Sequence, residues 1–248
     1  MRSSISNKRD LIKKIYASLF WIIFWYLISN IMNNKLLLPS PIDVFISLVN
    51  LLNTKDIYIS IANTFIRIIT GFFLGSILGI ILSIFSYKFI FFKSLMEPLI
   101  LMIKATPIAS IIILALVWIS SKNLSVFIAF LMVLPTMYTT ILKGLDSTDE
   151  KMLEMAKVFK IKGCKLIRYI YMPSIKPYLI AAASLALGLS WKAGVAAEVI
   201  GLPSGTIGES LYTAKIYLNT PELFAWTFLI VAISFIFEKL FIFLLNRI

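Results

Sequence analysis

The segment of this chain with the most potential for chemistry is residues 144–176, where charged and apolar side chains alternate with helical spacing. Ser147 and Glu150 are three positions apart and fit a capping box, so we predict a helix that begins near Thr148 or Asp149. Residues at steps of four and three then form one apolar stripe along a helix: Met152, Ala156, Phe159, Gly163, Leu166 and Ile170.

Three roles are open to this amphipathic segment. The face opposite the stripe is rich in lysine, so the segment could lie on anionic lipid headgroups. It could equally pack as an internal linker, or dock a cytoplasmic partner through its apolar stripe. Gly163 is predicted to break the segment into two short helices, which Pro173 and Pro177 stop before the next apolar segment.

Residue types that serve catalysis are scarce elsewhere in the sequence. The chain has no histidine and a single cysteine, Cys164, which excludes histidine-based zinc sites, histidine-dependent nucleophiles and an intrachain disulfide. No G-x-x-x-x-G-K-[ST] phosphate loop is present, so this chain is not predicted to hydrolyse ATP. We therefore expect no catalytic residue, no metal site and no cofactor bound by this chain.

Composition places these residues in a membrane protein. Of the 248 residues 60% are hydrophobic and 15% charged, the mean hydropathy is +0.93, and an average soluble domain is only about 45–50% apolar. An all-α polytopic membrane protein with about six transmembrane helices is predicted, since about 20 apolar residues cross a bilayer. The predicted spans are residues 15–34, 68–87, 105–121, 124–142, 178 to at least 191, and 223–245.

The distribution of charge predicts the orientation of these spans. The chain has 24 Lys and Arg against 12 Asp and Glu, and 18 of the 24 fall on the side that carries both termini if there are six spans. By the positive-inside rule that side is cytoplasmic, and the net charge of +12 then reflects membrane topology rather than nucleic-acid binding. We predict a basic cytoplasmic N-terminus, residues 1–14, and one transmembrane domain over residues 15–248.

A stripe of small residues marks the second span. Gly71, Gly75, Gly79 and Ser83 are each four positions apart, so they share one helix face and let another helix approach closely. The partner could be another helix of this chain or a second copy of it.

Ionisable residues near the spans are the remaining candidates. Glu198 lies near the membrane after Trp191, and an acid at membrane depth is a candidate for gating or translocation. It could equally serve structure, in the headgroup layer or as the cap of a re-entrant turn. Arg67 and Lys104 are expected to extend to the membrane surface, and the alternative for both is a place in the pathway of an anionic substrate. The polar, Gly-rich segment 192–222 is predicted to hold a helix end and an external loop with a short helix.

The amphipathic segment, residues 144–176, resembles the EAA loop of permeases of bacterial binding-protein-dependent ABC importers. That pattern is Glu-Ala-Ala, three residues, a glycine, nine residues, then Ile-x-Leu-Pro. Glu154-Met155-Ala156 aligns with its start, and Ile170 and Pro173 match its end without a gap. The chain departs from the pattern at Met155, at Met172 and, most notably, at Lys160, which replaces the glycine. Gly163 is expected to supply the turn instead.

Other short segments resemble the nitrate/sulfonate/taurine-type permeases of this family, and together they cover most of the chain. They are Leu38-Pro39-Ser40-Pro41, Thr106-Pro107, and Trp191 with Ala197-Glu198 and Gly201.

The resemblance implies a type I ABC-importer permease fold in a bacterial inner membrane, surrounded by lipid. It implies a homodimer of permeases, a cytoplasmic ABC ATPase dimer that holds ATP and Mg, an extracytoplasmic solute-binding protein, and no nucleic-acid partner. The substrate would be a small anionic or heterocyclic solute of the sulfonate, nitrate or vitamin-precursor type. Residues implied at the ATPase interface are Glu154, Met155, Ala156, Phe159, Lys160, Ile161, Gly163, Ile170 and Pro173. A gate or dimer region is implied at Trp191, Ala197, Glu198 and Gly201.

Two other functions are weighed against this one. An ion-coupled secondary transporter is expected to bury acids or histidines in its spans and to contain repeats, and neither is evident here. A membrane-embedded enzyme needs a cluster of titratable residues near one leaflet, and the lysine-rich loop lacks an acid/base pair with a nucleophile.

Overall fold

A computed structural model describes the backbone of residues 2–247 and the side chains of residues 12, 13 and 15–247. Met1, Ile248 and the side chains of Arg2, Lys8, Arg9 and Lys14, which belong to the predicted basic N-terminus, lie outside the described residues. Among the residues described, helices alternate with short connections and no strand occurs. The helices are α1 (Arg2–Met32), α2 (Pro41–Leu52), α3 (Lys55–Lys88), α4 (Ile90–Ala105), α5 (Ile108–Ala115), α6 (Ser121–Asp146), α7 (Glu150–Val158), α8 (Cys164–Leu166), α9 (Met172–Gly201), α10 (Ile207–Ile216) and α11 (Thr220–Arg247).

Among the described residues, five helical segments are long and apolar enough to cross a membrane, and a bent pair of helices can supply a sixth span. The predicted class, an all-α polytopic membrane protein, is confirmed. The bent pair is α4 and α5, which meet at an angle of 100°. The five are Ile15–Met32, Lys55–Lys88, Ser121–Asp146, Cys164–Gly201 and Thr220–Arg247.

The prediction of a straight third span over residues 105–121 is wrong. The break falls at Thr106-Pro107, where Thr106 is extended with ψ 130°, because a proline disfavours helical backbone in the residue before it. Helix α5 then has 8 residues, or about 12 Å of length against about 30 Å of hydrocarbon. A crossing at this point therefore needs α4 as well.

The prediction that Pro173 and Pro177 end a short helix is also wrong. Helix α8, a π-helical turn over Ile167–Tyr171 and α9 follow one another without a break, so 38 residues form one long helix. Pro173 directly follows the π-helical turn, where the backbone hydrogen bonds change register, so the helix can accommodate a residue without an N–H. The Ser174 hydroxyl donates to the Ile170 carbonyl at 3.0 Å and so satisfies one backbone group next to the proline.

The described residues divide into two compact units. The larger contains residues 59–209 together with the part of α11 from Ile230 onward. Its core is organised around α6, which contacts a different set of helices in each of three clusters of buried side chains. Phe72, Val133 and Leu187 join α3, α6 and α9; Ile112, Ile128 and Ala193 join α5, α6 and α9; Ile100, Leu134 and Tyr138 join α4 and α6.

The smaller unit contains the residues up to Tyr58 and residues 210–229. Trp25 of α1 stacks between Phe224 and Phe228 of α11, with ring centroids 5.9 Å apart in both pairs. Ser40 caps α2 and forms a full capping box with Asp43. Lys35 lies 3.0 Å from the Asp43 carboxylate, and hydrogen bonds from Ser40 and Lys35 hold the pKa of Asp43 below its usual value.

The glycine stripe of α3 lies against α6. A Cβ atom on Gly71 would come within 2.4 Å of the Val126 carbonyl oxygen, and one on Gly75 or Gly79 within 2.8 Å of Val133 or Met137. Ser83, the fourth member, is fully buried, and its hydroxyl donates to Ile80 of its own helix. In this structure the small residues thus allow two helices of the same chain to pack closely.

Helix α9 continues to Gly201, and the short helix α10 follows after five residues. The prediction of a helix end and a short helix within residues 192–222 is confirmed. Leu202 and Gly205, with φ +49° and +67°, turn the chain between these helices.

Candidate functional site

Helix α7 is the first part of the candidate site. Asp149, rather than Ser147, is its N-cap, and the Asp149 carboxylate accepts from the Lys151 N–H at 2.9 Å. The predicted capping box between Ser147 and Glu150 is not formed, because the Ser147 hydroxyl donates to the Gly144 carbonyl at the end of α6.

The end of α7 explains the departure from the EAA pattern at Lys160. The Ile161 N–H donates to the Ala156 carbonyl at 2.8 Å, and the Lys160 N–H to the Lys157 carbonyl at 3.1 Å. These two bonds form a Schellman motif, which needs a left-handed residue at Lys160, and Lys160 has φ +53°. Lysine thus takes the conformation for which the family pattern supplies glycine.

Gly163 makes a second turn and does not replace the first one. It precedes α8 with φ +61°, and a Cβ atom there would meet nothing within 4 Å. The expectation that Gly163 supplies the turn instead of position 160 is therefore wrong. Two left-handed residues, Lys160 and Gly163, delimit the connection between α7 and the long helix.

Substitution Lys160→Gly is expected to stabilise the end of α7. A side chain in the left-handed region costs about 1–2 kcal/mol, and glycine removes this cost while it adds some entropy to the unfolded chain. The amide of Ile161 should then exchange with deuterium a few-fold more slowly, as measured by hydrogen-exchange mass spectrometry. Lys162→Gly is the matched control because position 162 has no positive φ, and it should slow nothing. Equal or faster exchange at Ile161 in K160G would contradict this interpretation.

The side chains of α7 divide between a buried position and an exposed apolar surface. Ala156 faces inward and is 1% exposed. Four large apolar side chains face outward, and we call them the apolar surface of α7: Met152 (49% exposed), Met155 (44%), Val158 (77%) and Phe159 (70%). Glu154 is exposed beside them. The apolar stripe predicted from the sequence is therefore only partly internal.

The other residues implied at an ATPase interface follow α7 in the chain. Ile170 is buried in the π-helical turn, and Ile161 is half-buried. Lys160, Gly163 and Pro173 are exposed.

Glu198 is the centre of the second part of the candidate site. Its side chain is fully buried, and its Oε2 accepts from the Thr64 hydroxyl at 2.7 Å and from the Gly208 N–H at 3.3 Å. The Arg67 guanidinium Nη1 lies 3.9 Å from Oε1. The Thr64 hydroxyl also accepts from the Ile207 N–H at 3.0 Å. We call these five residues the Glu198 cluster.

The Glu198 cluster fixes the turn that connects α9 to α10. The Asn63 side chain donates to the Gly205 carbonyl at 2.8 Å, and the Gly205 N–H donates to the Glu209 carboxylate at 2.6 Å. A Cβ atom on Gly208 would lie 2.2 Å from the Cβ of Glu198. The beginning of α10 is thus held against α3 and α9 at a distance that only glycine permits.

Sequence reasoning missed the partners of Glu198. The Arg67 guanidinium is directed to Glu198, and its side chain is 18% exposed. Thr64 and Asn63 lie one turn before Arg67 on α3. This spacing is visible in the sequence, but nothing in the sequence pairs these residues with residues 198–208. Lys104 donates to the Thr139 hydroxyl at 3.1 Å.

The other residues of the implied gate region lie in helix interfaces. Trp191 is 1% exposed and its ring centroid is 6.1 Å from that of Phe65. Ala197 belongs to the cluster around α5 and α6. A Cβ atom on Gly201 would come within 2.6 Å of Leu124. A role of these residues in gating or in a dimer stays a prediction.

Comparisons with known proteins identify the family of this chain. Residues 71–248 match the family described as binding-protein-dependent transport system inner membrane component. A probable ABC transporter permease of Brucella melitensis is 27% identical over 201 residues, which cover 81% of this chain and 80% of the relative.

Two further relatives have more specific names. SsuC of Bacillus subtilis, named for transport of aliphatic sulfonates, is 24% identical over 76% of this chain and 68% of its own length. The bicarbonate transport permease CmpB of Synechococcus elongatus is 22% identical over 61% and 54%. The chain belongs to the family of binding-protein-dependent inner-membrane permeases, as a permease subunit of an ABC importer. The resemblance to the nitrate/sulfonate type predicted from the sequence is confirmed.

Proposed function

We propose that this permease, as a homodimer, forms the membrane pathway for a small anionic or heterocyclic solute and that α7 transmits the movement of a separate ATPase dimer. A solute-binding protein would deliver the substrate on the opposite side, and both termini would be cytoplasmic. The observation that carries this proposal is the apolar surface of α7, which is exposed on a helix of 9 residues. Family membership argues against the secondary transporter and the enzyme as alternatives.

The chemistry of α7 suits a helix that lies in a groove of a partner. Met152, Met155 and Phe159 are spaced by three and four residues, as are the apolar anchors of helices that bind in grooves. Glu154 is exposed one turn before Val158, at the margin of this apolar surface, where it can pair with a cation at the edge of such a groove. Exposed apolar side chains in aqueous solution favour burial against a protein.

The position of α7 suits transmission of movement. Lys160 and Gly163 connect it to the helix Cys164–Gly201 through only five residues, so a displacement of α7 is passed on to that helix. When bound ATP draws two ATPase subunits together, two such helices in a homodimer would move with them. The buried contacts of α9 with α3 and α6 would carry the movement into the bundle.

The names of the relatives supply the class of substrate to test first. They refer to aliphatic sulfonates and to bicarbonate, which are anions. Uptake of radiolabelled sulfonates and of bicarbonate into cells that express the importer tests whether a small anion is transported.

Charge reversal at Glu154 tests the role of α7. Glu154→Arg is expected to weaken association with the cognate ATPase about tenfold, since one repulsive contact at the edge of an interface costs about 1–2 kcal/mol. The amount of permease in the membrane should not change, because Glu154 is exposed and makes no ion pair among the described residues. Co-purification of the ATPase from solubilised membranes measures the effect.

Asp56→Arg is the matched control for this experiment. Asp56 is an exposed acid in the first turn of α3, far along the chain from α7, and its reversal should leave ATPase co-purification at the wild-type level. Normal ATPase recovery with E154R, or equal loss with D56R, would count against docking through α7.

A further inference from the structure

A cavity of about 350 Å³ opens beside the first turns of the helix Cys164–Gly201. Basic and apolar side chains share its wall, and the described residues that line it include no acid. The lining residues are Arg168, Met172, Pro173, Lys176, Leu179 and Leu245.

Four of the lining residues lie on one face of the helix Cys164–Gly201. Arg168, Met172, Lys176 and Leu179 recur at steps of four and three, so they lie above one another. The uncharged stretch of this helix, residues 177–191, begins directly after Lys176. The two cations thus lie next to the end of the apolar stretch. Leu179, together with Leu245 of α11, lines the part of the cavity beside that stretch.

The charges in this wall are largely uncompensated. The part of the chain that the structure describes offers Arg168 neither an ion pair nor a side-chain hydrogen bond. The Lys176 ammonium donates at 3.3 Å to the backbone carbonyl of Asn246, which is a neutral acceptor. Two positive charges without an acid complement the single negative charge of a phosphodiester, and guanidinium groups bind phosphate oxygens in a bidentate manner.

We propose that this cavity binds an anionic phospholipid, with the phosphodiester headgroup between Arg168 and Lys176 and the start of an acyl chain against Leu179 and Leu245. Basic pockets between membrane helices bind lipid headgroups in this way. A soluble phosphate would meet the two cations but would leave Met172, Leu179 and Leu245 uncovered. The proposal rests on the cavity and on family membership, and it does not depend on α7 docking to an ATPase.

A lipid at this position would contact the beginning of the helix Cys164–Gly201, close to its connection with α7. Arg168 lies in the π-helical turn Ile167–Tyr171, and Met172 and Pro173 begin α9. The headgroup would therefore hold the first turns of the long helix at the membrane surface.

The test measures lipid retention by the full-length permease with native mass spectrometry. The protein is taken from nanodiscs that contain equal amounts of dioleoylphosphatidylglycerol and dioleoylphosphatidylcholine. Wild-type protein should retain phosphatidylglycerol in preference, and Arg168→Gln with Lys176→Gln should reduce this retention about tenfold or more, since both cations that attract the headgroup are lost. Lys55→Gln with Lys215→Gln, which removes two exposed lysines elsewhere, should change nothing.

A second variant separates the site from a general effect of charge. Met172→Trp adds volume in the cavity and leaves both cations in place, and it should also reduce retention of phosphatidylglycerol. Equal retention of the two lipids by the wild-type protein, or unchanged retention in both the R168Q/K176Q and M172W proteins, would overturn the proposal.

Discussion

Replacement of Glu198 by alanine is expected to lower the thermal stability of the permease more than replacement of any other polar side chain in the Glu198 cluster. Arg67 would keep its partly buried guanidinium without a counter-charge, and the Thr64 hydroxyl and the Gly208 N–H would lose their acceptor. Removal of one member of a buried charge pair costs about 3–5 kcal/mol. For a chain of this length the unfolding midpoint should fall by on the order of 10 °C, as measured by tryptophan fluorescence in detergent.

A double substitution shows whether this loss comes from the pair itself. Arg67→Gln combined with Glu198→Gln removes both charges and keeps groups that can hydrogen-bond, so it should be less destabilising than Glu198→Ala alone. If the two single glutamine variants and the double variant lose stability additively, Arg67 and Glu198 do not act as a pair.

Substitution Gly71→Ala is expected to separate α3 from α6. The new methyl group would lie 2.4 Å from the Val126 carbonyl oxygen and 3.0 Å from the Phe130 nitrogen. These are backbone atoms, so no rotation of a side chain can relieve the overlap and the helices must move apart. Overpacking of this kind costs about 1–3 kcal/mol, and the fraction of monodisperse protein after heating should fall accordingly.

Gly188→Ala is the matched control because Gly188 is also a helical glycine, yet a Cβ atom there meets nothing within 4 Å. Alanine favours a helix by about 0.5–1 kcal/mol over glycine, so this variant should be as stable as the wild-type protein or slightly more stable. The two substitutions are thus expected to differ in their effect on stability: G71A lowers it, and G188A leaves it unchanged or raises it slightly. Similar losses in G71A and G188A would mean that the stripe does not mediate close packing.

Apolar runs were sufficient to predict the class of fold and most spans, because a helix in lipid must satisfy its backbone internally and be apolar along its length. They failed at residues 105–121. The run there is as apolar as a span, but Pro107 ends one helix and α5 is too short to cross. A hydropathy pattern records the composition of a segment and contains no information about the direction of the chain within it.

The predictions at the prolines and at Lys160 failed for a different reason. Pro173 is compatible with a helix because it directly follows a π-helical turn, and Lys160 occupies a left-handed conformation that lysine disfavours. In both cases hydrogen bonds with neighbouring turns override the local preference of the residue. The left-handed turn falls at position 160, where the family pattern has its glycine and where the sequence alone predicted no turn.

The Glu198 cluster marks the limit of prediction for the site. Glu198 was identified because an acid near a span is rare, but its partners Thr64 and Arg67 are more than 130 positions away in the chain. One sequence contains no information about which distant polar residues meet, so the role of Glu198 as an anchor of residues 205–208 follows only from the structure.

The uninterrupted helix from Cys164 to Gly201 has a mechanical consequence. Its 38 residues extend about 57 Å at 1.5 Å per residue, nearly twice the thickness of the hydrocarbon layer. A tilt of about 10° around the midpoint of a helix of this length would displace each tip by about 5 Å in opposite directions. Glu198 lies near one tip and the connection to α7 at the other, so a tilt that shifts the α7 end by a few ångströms would shift the turn that Glu198 anchors in the opposite direction.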